Sequence, residues 1–152
     1  MKDIYYLKKS DIQNNRVFFK RSKLGEKGEV FDIKVFEKAR IIIEKYQTPK
    51  NAYIFPWRKD KVGYKTFLRA YNRSLNHIMD KLQIDILPKK ESFTSKSIRH
   101  TFATIAKFQH IDPDIIRELM GHERNDIDTI YKDKYPEEVR DKAHLEIITT
   151  DS

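Results

Sequence analysis

Apolar residues recur at three- and four-residue spacing along most of the chain, a pattern typical of helices that bury one face. The clearest apolar stripe comprises Phe67, Leu68, Tyr71, Leu75, Ile78, Met79 and Leu82. Similar stripes contain Phe36, Ala39, Ile43 and Tyr46; Ile98, Phe102, Ile105 and Ala106; and Val139, Ala143 and Ile147. The pattern predicts helices over 36–46, 64–82, 96–108, 113–121, 127–135 and 137–148, and the end of a helix over 1–8.

Capping residues mark the ends of two of these helices. Ser95 precedes the stripe that begins at Ile98, and it is predicted to be the N-cap of that helix. Asp112 followed by Pro113 has the arrangement of an N-cap and a first helical residue. Gly121 is expected to end the same helix, because glycine readily adopts the left-handed backbone found there.

Two short segments, 16–20 and 29–35, predict β-strands because they are rich in Val, Ile and Phe and are bounded by turn residues. Asn14 and Asn15 predict a turn before the first strand. Residues 21–28 would form a long basic hairpin tip. We therefore expect an α+β protein that is mainly helical, with a small antiparallel β-hairpin or sheet packed beside a helical bundle. The 152 residues suit one domain.

The charge balance favours an anionic partner, nucleic acid first. Lys and Arg number 31 against 23 Asp and Glu, which gives a net charge of +8. Lys65, Arg69 and Arg73 lie away from the apolar stripe of their helix, and they could face phosphate or simply solvent. No apolar run approaches the roughly 20 residues of a membrane span. The charged N-terminus is unlike a signal peptide, so a cytoplasmic protein is expected.

The chain has few of the residue patterns that bind metals or nucleotides. It has no cysteine, and its five histidines show no HExxH spacing. Asp126, Asp128 and Asp133 lack the glycine and terminal glutamate of a calcium loop. No GxxxxGK[ST] or GxGxxG phosphate loop occurs. We therefore expect no metal and no cofactor.

The remaining candidate nucleophile is a tyrosine. The chain has neither a cysteine nor a GxSxG serine elbow, whereas a tyrosine can attack when cations hold the electrophile. Three segments stand in order: Arg99-His100-Thr101-Phe102-Ala103-Thr104, Leu119-Met120-Gly121-His122, and Thr129-Ile130-Tyr131, in which the tyrosine follows His122 by nine residues. This ordered set closely resembles the tyrosine recombinase, or phage integrase, family.

The resemblance extends over nearly the whole chain. Leu7-Lys8-Lys9-Ser10-Asp11-Ile12 is similar to the family's LKxxDI segment, and Tyr53-Ile54-Phe55-Pro56 is similar to its short FP segment. The family's catalytic domain has the mixed, mainly helical fold expected above. Its members bind double-stranded DNA, assemble on it as tetramers and need neither metal nor ATP. The resemblance thus implies a site-specific recombinase associated with the nucleoid.

Family roles transfer to matching positions as expectations. Tyr131 matches the nucleophile that forms a 3′-phosphotyrosyl link to DNA. Arg99 matches the second active-site arginine, and His122 matches a histidine that hydrogen-bonds the phosphate. Lys23 matches the mobile general acid, with Lys20, Arg21 and Lys27 as competing positions. Arg21, Lys65 and Arg69 are candidate DNA contacts.

Two positions depart from the family pattern. Lys96 stands where a histidine usually precedes the arginine by three residues; a lysine can donate to phosphate, but it is a poor general base while charged. The family's first arginine precedes Leu7 by seven residues, which falls just before Met1. We expect a C-terminal catalytic domain over 1–152 that lacks the first arginine and the N-terminal DNA-clamping domain, and that cleaves DNA weakly alone.

Several alternatives stay open from the sequence. Tyr135 lies four residues after Tyr131 and could share its helical face, although only Tyr131 has the spacing from His122. His100 is expected to support the site or the core. The last helix could pack within the chain or on a neighbouring protomer. The stretch 103–135 also resembles a helix-turn-helix, so a non-catalytic DNA-binding module is the alternative function. A metal-dependent nuclease lacks the paired carboxylates it would need.

Overall fold

The computed structural model describes residues 1–20, 30–58, 63–84, 92–122 and 133–149. Within these ranges a three-stranded antiparallel sheet accompanies six α-helices, which confirms the predicted mainly helical α+β class. The strands are β1 (Ile12–Gln13), β2 (Arg16–Lys20) and β3 (Val30–Lys34). The helices are α1 (Lys2–Tyr5), α2 (Glu37–Tyr46), α3 (Tyr64–Lys81), α4 (Ser95–Phe108), α5 (Pro113–Leu119) and α6 (Glu137–Thr149).

Two parts of the sequence prediction fall largely outside these ranges. The basic hairpin tip at 21–28 lies beyond the described residues. So does most of the helix predicted over 127–135, although its last three residues, 133–135, are described and are not helical. No helix in the described part of the chain is both long and apolar enough to cross a membrane.

The sheet is a meander with strand order β1-β2-β3. Asn14 and Asn15 both have positive φ, 49° and 58°, as the two central residues of a tight hairpin turn require. This confirms the predicted turn. Phe19 pairs with the buried Phe31 across β2 and β3, with ring centroids 5.9 Å apart. Strand β1 was not predicted, because a two-residue strand has no alternation to detect.

An aromatic cluster joins the N-terminus to α3. Tyr5, which is almost fully buried, lies 4.8 Å from Phe67 between ring centroids, and Phe67 lies 4.7 Å from Trp57. Trp57 in turn stacks on Phe55. The adjacent Ile54 is also fully buried, and its N–H donates to the carbonyl of Leu7. The predicted stripe of α3 therefore packs at its first turns, while Ile78 and Leu82 at its end are exposed.

A second core forms where α4, α5 and α6 meet. Its buried side chains are Ala106, Ile115, Ala143 and Ile147. The apolar face of α6 is thus covered within the chain at Ala143 and Ile147. Packing within the chain was one of the two predicted possibilities for this helix. In α4 and α6 the predicted apolar face is wrong at Ile98 and Val139, which are exposed by 46% and 41%.

A histidine helps to seal this second core. The ring of His144 on α6 meets the rings of Phe36 and Phe102 edge-on, at centroid distances of 5.1 Å and 6.0 Å. Burial lowers the pKa of His144, and the nearby charge of Asp141 opposes this only in part. The imidazole is therefore held in its neutral form and packs as an aromatic side chain.

Ion pairs connect the sheet to α6. Arg16 on β2 donates to Asp32 on β3 at 2.6 Å and to Asp141 on α6 at 2.7 Å. Arg140, only 9% exposed, reaches the same Asp32 carboxylate at 3.1 Å. Burial alone would raise the pKa of Asp32, but hydrogen bonds from Arg140 and Arg16 outweigh it, so that pKa is lowered. Asp32 therefore stays ionised between two guanidinium groups.

The structure predicts that Asp32→Asn destabilises the fold by about 2 kcal/mol at pH 7, because two mostly buried arginines lose their shared charge. A lowered pKa means that Asp32 stabilises the fold fully above its ordinary value of 3.8 and loses this effect as the pH falls through the folded value. The difference from wild type should therefore shrink in strong acid. Urea unfolding at several pH values measures it.

The control for this experiment is Glu37→Gln. Glu37 pairs with Arg40 on the exposed face of α2, three residues along the helix. Such a pair contributes less than about 0.5 kcal/mol, so the control should be close to wild type at every pH. Equal unfolding midpoints for Asp32→Asn and Glu37→Gln would contradict the importance of the Asp32 carboxylate.

Candidate active site

Helix α4, which carries Arg99, is fixed at its first turn. Its N-cap is Thr94, one residue before the predicted Ser95, and the Thr94 hydroxyl accepts from the N–H of Lys96. The Ser97 hydroxyl accepts from the N–H of Thr94, which completes a capping box with serine in the place of the usual glutamate. The sequence offered two hydroxyl residues in a row, and this reciprocal bond selects the first.

Two asparagines on α3 tie this first turn to the rest of the protein. The Asn76 amide donates to the carbonyl of Phe93 at 2.7 Å and accepts from the N–H of Phe93 at 2.9 Å. The Asn72 side chain accepts from the N–H of Ser95 at 3.1 Å. Backbone groups before and at the start of α4 are therefore satisfied by α3, which fixes both the position and the rotation of α4.

Helix α5 begins and ends as the sequence predicts. Asp112 caps it by accepting from the N–H of Asp114, and Pro113 occupies its first position. Gly121 has φ 62°, and the N–H of His122 returns to the carbonyl of Arg117 at 2.9 Å. This is a Schellman motif, in which the glycine turns the chain back over the helix end. His122 follows directly and is exposed.

A hydrogen bond joins the two motif segments. Arg99 Nη2 donates to the carbonyl of Met120 at 2.7 Å, although the two residues are 21 positions apart. Met120 is two residues before His122, so the Arg99 guanidinium lies against the chain segment that leads to the histidine. A guanidinium carries five N–H donors in a fixed plane, so a bond to one carbonyl is compatible with binding to a phosphate.

The other α4 candidates lie on the helix surface. Lys96 precedes Arg99 by three residues, which places the two on neighbouring turns of one face. Its side chain is exposed. His100 is exposed as well, so of its two expected roles support of the core is wrong, while support of the site stays a prediction. Lys65, Arg69 and Arg73 are exposed on α3, as predicted from their distance to the apolar stripe.

Three predicted functional residues lie outside the described ranges: Tyr131, Lys23 and Arg21. The predicted catalytic residues within the described ranges are Arg99, His122 and Lys96, and their catalytic roles stay predictions. Among the described residues, no group of three or more His, Cys, Asp or Glu side chains is arranged to hold a metal ion.

Most of the chain matches the sequence pattern of one protein family. A model of the phage integrase family matches residues 1–138. The chain belongs to the phage integrase family. The resemblance found in the sequence is thereby confirmed. Comparisons with curated proteins and with solved structures gave no significant match.

Membership gives this integrase-family chain a role in site-specific DNA recombination and integration, with DNA as the molecule it binds. The match covers α1 to the first turn of α6, so it includes every described candidate residue. In this integrase, the hydrogen bond from Arg99 to the Met120 carbonyl joins the segment that contains Arg99 to the segment that contains Gly121 and His122.

Sequence reasoning missed the residues that orient the integrase site. Asn72 and Asn76 lie beside the apolar stripe of α3, where polar residues usually face solvent. Their spacing of four residues puts both side chains on one face of α3. This shared face was the only sequence feature that could have pointed to a common role. Their partners could not be predicted from the sequence, because they are backbone groups 17 to 23 residues away.

We predict that Asn76→Ala lowers the free energy of unfolding by about 1–3 kcal/mol, because it leaves the Phe93 N–H and carbonyl without this partner. Urea unfolding measures the loss, and amide hydrogen exchange should show faster exchange at Phe93 and Ser95. The matched control is Arg73→Ala, which removes an exposed side chain from the same helix. Similar exchange at Phe93 in both variants would contradict the role of Asn76 in holding Phe93.

Proposed function

We propose that this chain cleaves and rejoins DNA strands through a covalent phosphotyrosyl intermediate. The observation that carries the proposal is the bond from Arg99 to the Met120 carbonyl, which brings a phosphate-binding side chain to the helix end followed by His122. Both residues lie at positions where members of the phage integrase family hold the scissile phosphate. Tyr131, nine residues after His122, supplies the nucleophile.

The proposed reaction balances without a cofactor. The Tyr131 oxygen attacks the scissile phosphorus and loses its proton, while the bond from phosphorus to the 5′ oxygen breaks. The 3′ phosphate is then bound to tyrosine, and the leaving strand takes a proton to become a 5′-hydroxyl. Attack by a 5′-hydroxyl reverses the step and releases the tyrosine. Because one phosphodiester replaces another, neither ATP nor a metal is required.

Each side chain supplies one part of this chemistry. Arg99 binds two non-bridging oxygens with its planar fork and stabilises the charge that develops on them. His122 donates a hydrogen bond to the same phosphate. Lys96, which is exposed one turn before Arg99, adds a cation that can contact phosphate. Lys23 donates the proton to the leaving 5′ oxygen.

The basic surface supports binding to duplex DNA. Lys65 and Arg69 are exposed on one side of α3 and fit the phosphate backbone, and Arg21 is proposed to do the same from the segment between β2 and β3. Recombination exchanges strands between two duplexes, which requires several nucleophiles at once. We therefore propose that the chain self-associates on DNA, with four copies in the synapse.

The main test uses the product of the complete gene and a nicked suicide DNA substrate that traps the cleaved strand. Wild type and Tyr135→Phe should form a covalent protein–DNA adduct visible on a denaturing gel, whereas Tyr131→Phe should form none. Tyr135→Phe is the matched control, because it removes the same hydroxyl four residues further along.

Two outcomes would contradict the proposal. An adduct lost in Tyr135→Phe but kept in Tyr131→Phe would transfer the nucleophile to Tyr135. Sequence-specific binding without any adduct would instead favour the non-catalytic helix-turn-helix module. The break between α4 and α5 and the exposed His122 after α5 are compatible with that alternative.

The acid role of Lys23 has its own test. Lys23→Ala should slow cleavage of an ordinary substrate by roughly 100-fold or more, in the range usual for a general acid. Sulfur in place of the leaving 5′ oxygen should restore most of the rate, because a thiolate leaves without a proton. The measurement is single-turnover adduct formation on both substrates.

Arg21→Ala is the control for this substitution. It removes a neighbouring cation that is proposed to bind DNA, so its defect should be the same for the oxygen and the sulfur substrate. If Lys23→Ala also showed equal defects on both substrates, Lys23 would act in binding rather than in proton transfer.

A further inference from the structure

His144 is a titratable side chain at the place where α6 meets α2 and α4. Its ring contacts the ring of Phe36, the N-cap residue of α2, and the ring of Phe102 on α4. On either side of it along α6, Ala143 and Ile147 are buried in the core of the helical part. We call the three rings of His144, Phe36 and Phe102 the His144 joint.

One ring nitrogen of His144 fits only the neutral form of the imidazole. Nδ1 is inaccessible to solvent and has no hydrogen-bond partner within the described ranges. A neutral imidazole can leave this nitrogen unprotonated, whereas the imidazolium ion carries a proton on both nitrogens. The charged form would therefore bury an N–H donor without an acceptor, which is costly. The geometry of the joint thus opposes protonation of His144.

Asp141 is the carboxylate that could compensate a charge on His144. It lies three residues earlier on α6, and its charge raises the pKa of His144. However, Arg16 on β2 already binds it at 2.7 Å, and Lys34 Nζ on β3 lies 3.6 Å from it. Burial of the ring outweighs the effect of this shared carboxylate, so the pKa of His144 is lowered.

The helices that contact α6 also carry charges, and these are bound to other groups. The pairs are Glu37 with Arg40 on α2, Arg99 on α4 with the Met120 carbonyl, and Glu118 on α5 with Arg140. Among the charges of the described residues, only Asp141 acts against the effect of burial on the pKa of His144. A proton on the ring therefore gains little from its surroundings while the joint is closed.

We propose that His144 is an acid-sensitive joint, in which protonation of the ring requires α6 to separate from α2 and α4. The same helix carries Arg140 and Asp141, which bind Asp32 and Arg16 of the sheet. Opening at His144 therefore weakens both the core of the helical part and the ion pairs to the sheet. This inference is independent of the proposed function, since it concerns only how the fold is held together.

The direction of the pH dependence follows from the lowered pKa. An opened chain takes up a proton near the ordinary histidine value of 6.5, whereas the closed joint takes it up only at lower pH. The joint therefore stabilises the fold fully above pH 6.5, and this contribution is lost as the pH falls through 6.5 towards the folded value. In that window the folding constant falls by up to about tenfold per pH unit.

The test is urea unfolding of the 152-residue chain between about pH 8 and about pH 5. His144→Phe keeps an aromatic ring in the joint but removes the titrating group. The folding constant of wild type should therefore fall relative to that of His144→Phe below pH 6.5, and the ratio should be constant above it. Asp32 does not produce this difference, because its stabilisation is lost only below 3.8 and is common to both proteins.

The matched control is His77→Phe, which makes the same exchange on the exposed face of α3. It should keep the wild-type pH dependence. Amide hydrogen exchange locates the opening: at about pH 5, Ala143 and Ile147 should exchange faster in wild type than in His144→Phe. Exchange at Phe67, in the aromatic cluster of the N-terminus and α3, should be equal in the two proteins.

Two outcomes of the unfolding experiment would overturn the proposal. One is a parallel loss of stability in wild type and His144→Phe, and the other is a pH dependence that His77→Phe removes. If His144→Phe does not fold, an NMR titration of the His144 ring in wild type decides the question. A midpoint below 6.5 supports the acid-sensitive joint, and a midpoint at or above 6.5 overturns it.

Discussion

Charge pairing between the sheet and the last helix is the constraint on which the described structure depends. Arg16, Asp32, Arg140 and Asp141 alternate in sign, so each buried charge has an opposite charge at hydrogen-bond distance. Removing one member leaves its neighbours buried without full compensation, which is far more costly than never having buried them. The hairpin of β2 and β3 is therefore held in one orientation against α6.

The candidate site uses the same kind of directional bond at two further places. The Asn72–Asn76 pair fixes the start of α4, and Glu118 and Arg140 bind the N–H and the carbonyl of Tyr135 just before α6. Apolar packing among Ala106, Ile115, Ala143 and Ile147 brings the three helices together, but such contacts are non-directional. Polar bonds decide the rotation of each helix, and the rotation decides whether Arg99 meets the end of α5.

The sequence predicted the elements better than it predicted their orientation. Apolar spacing identified α2 to α6, and Asp112, Pro113 and Gly121 marked the ends of α5 correctly. The predicted orientation of α6 is wrong at Val139, which is exposed, whereas the next residue, Arg140, is buried. A hydrophobic pattern assigns charged residues to the surface. It therefore mispredicts which face of a helix is buried when that face contains a paired arginine.

The site could be predicted only in part for a related reason. The order and spacing of Arg99, His122 and Tyr131 identify the family without any geometry, because they are local in sequence. Asn76, Glu118 and Arg140 act through backbone groups of residues that no spacing rule connects to them. The N-cap of α4 was wrongly predicted as Ser95, since Thr94 is an equally good capping residue and only the bond from Thr94 to Ser97 selects it.

The Arg16–Asp141 pair has a consequence for biosynthesis. Its two residues are 125 positions apart in the chain. At a translation rate of about 5–20 residues per second, the ribosome adds Asp141 roughly 6–25 s after Arg16. During that time Arg16 and Asp32 have been made, while Asp141 on α6 has not. The ion pair that joins the sheet to α6 can therefore form only after Asp141 has been made.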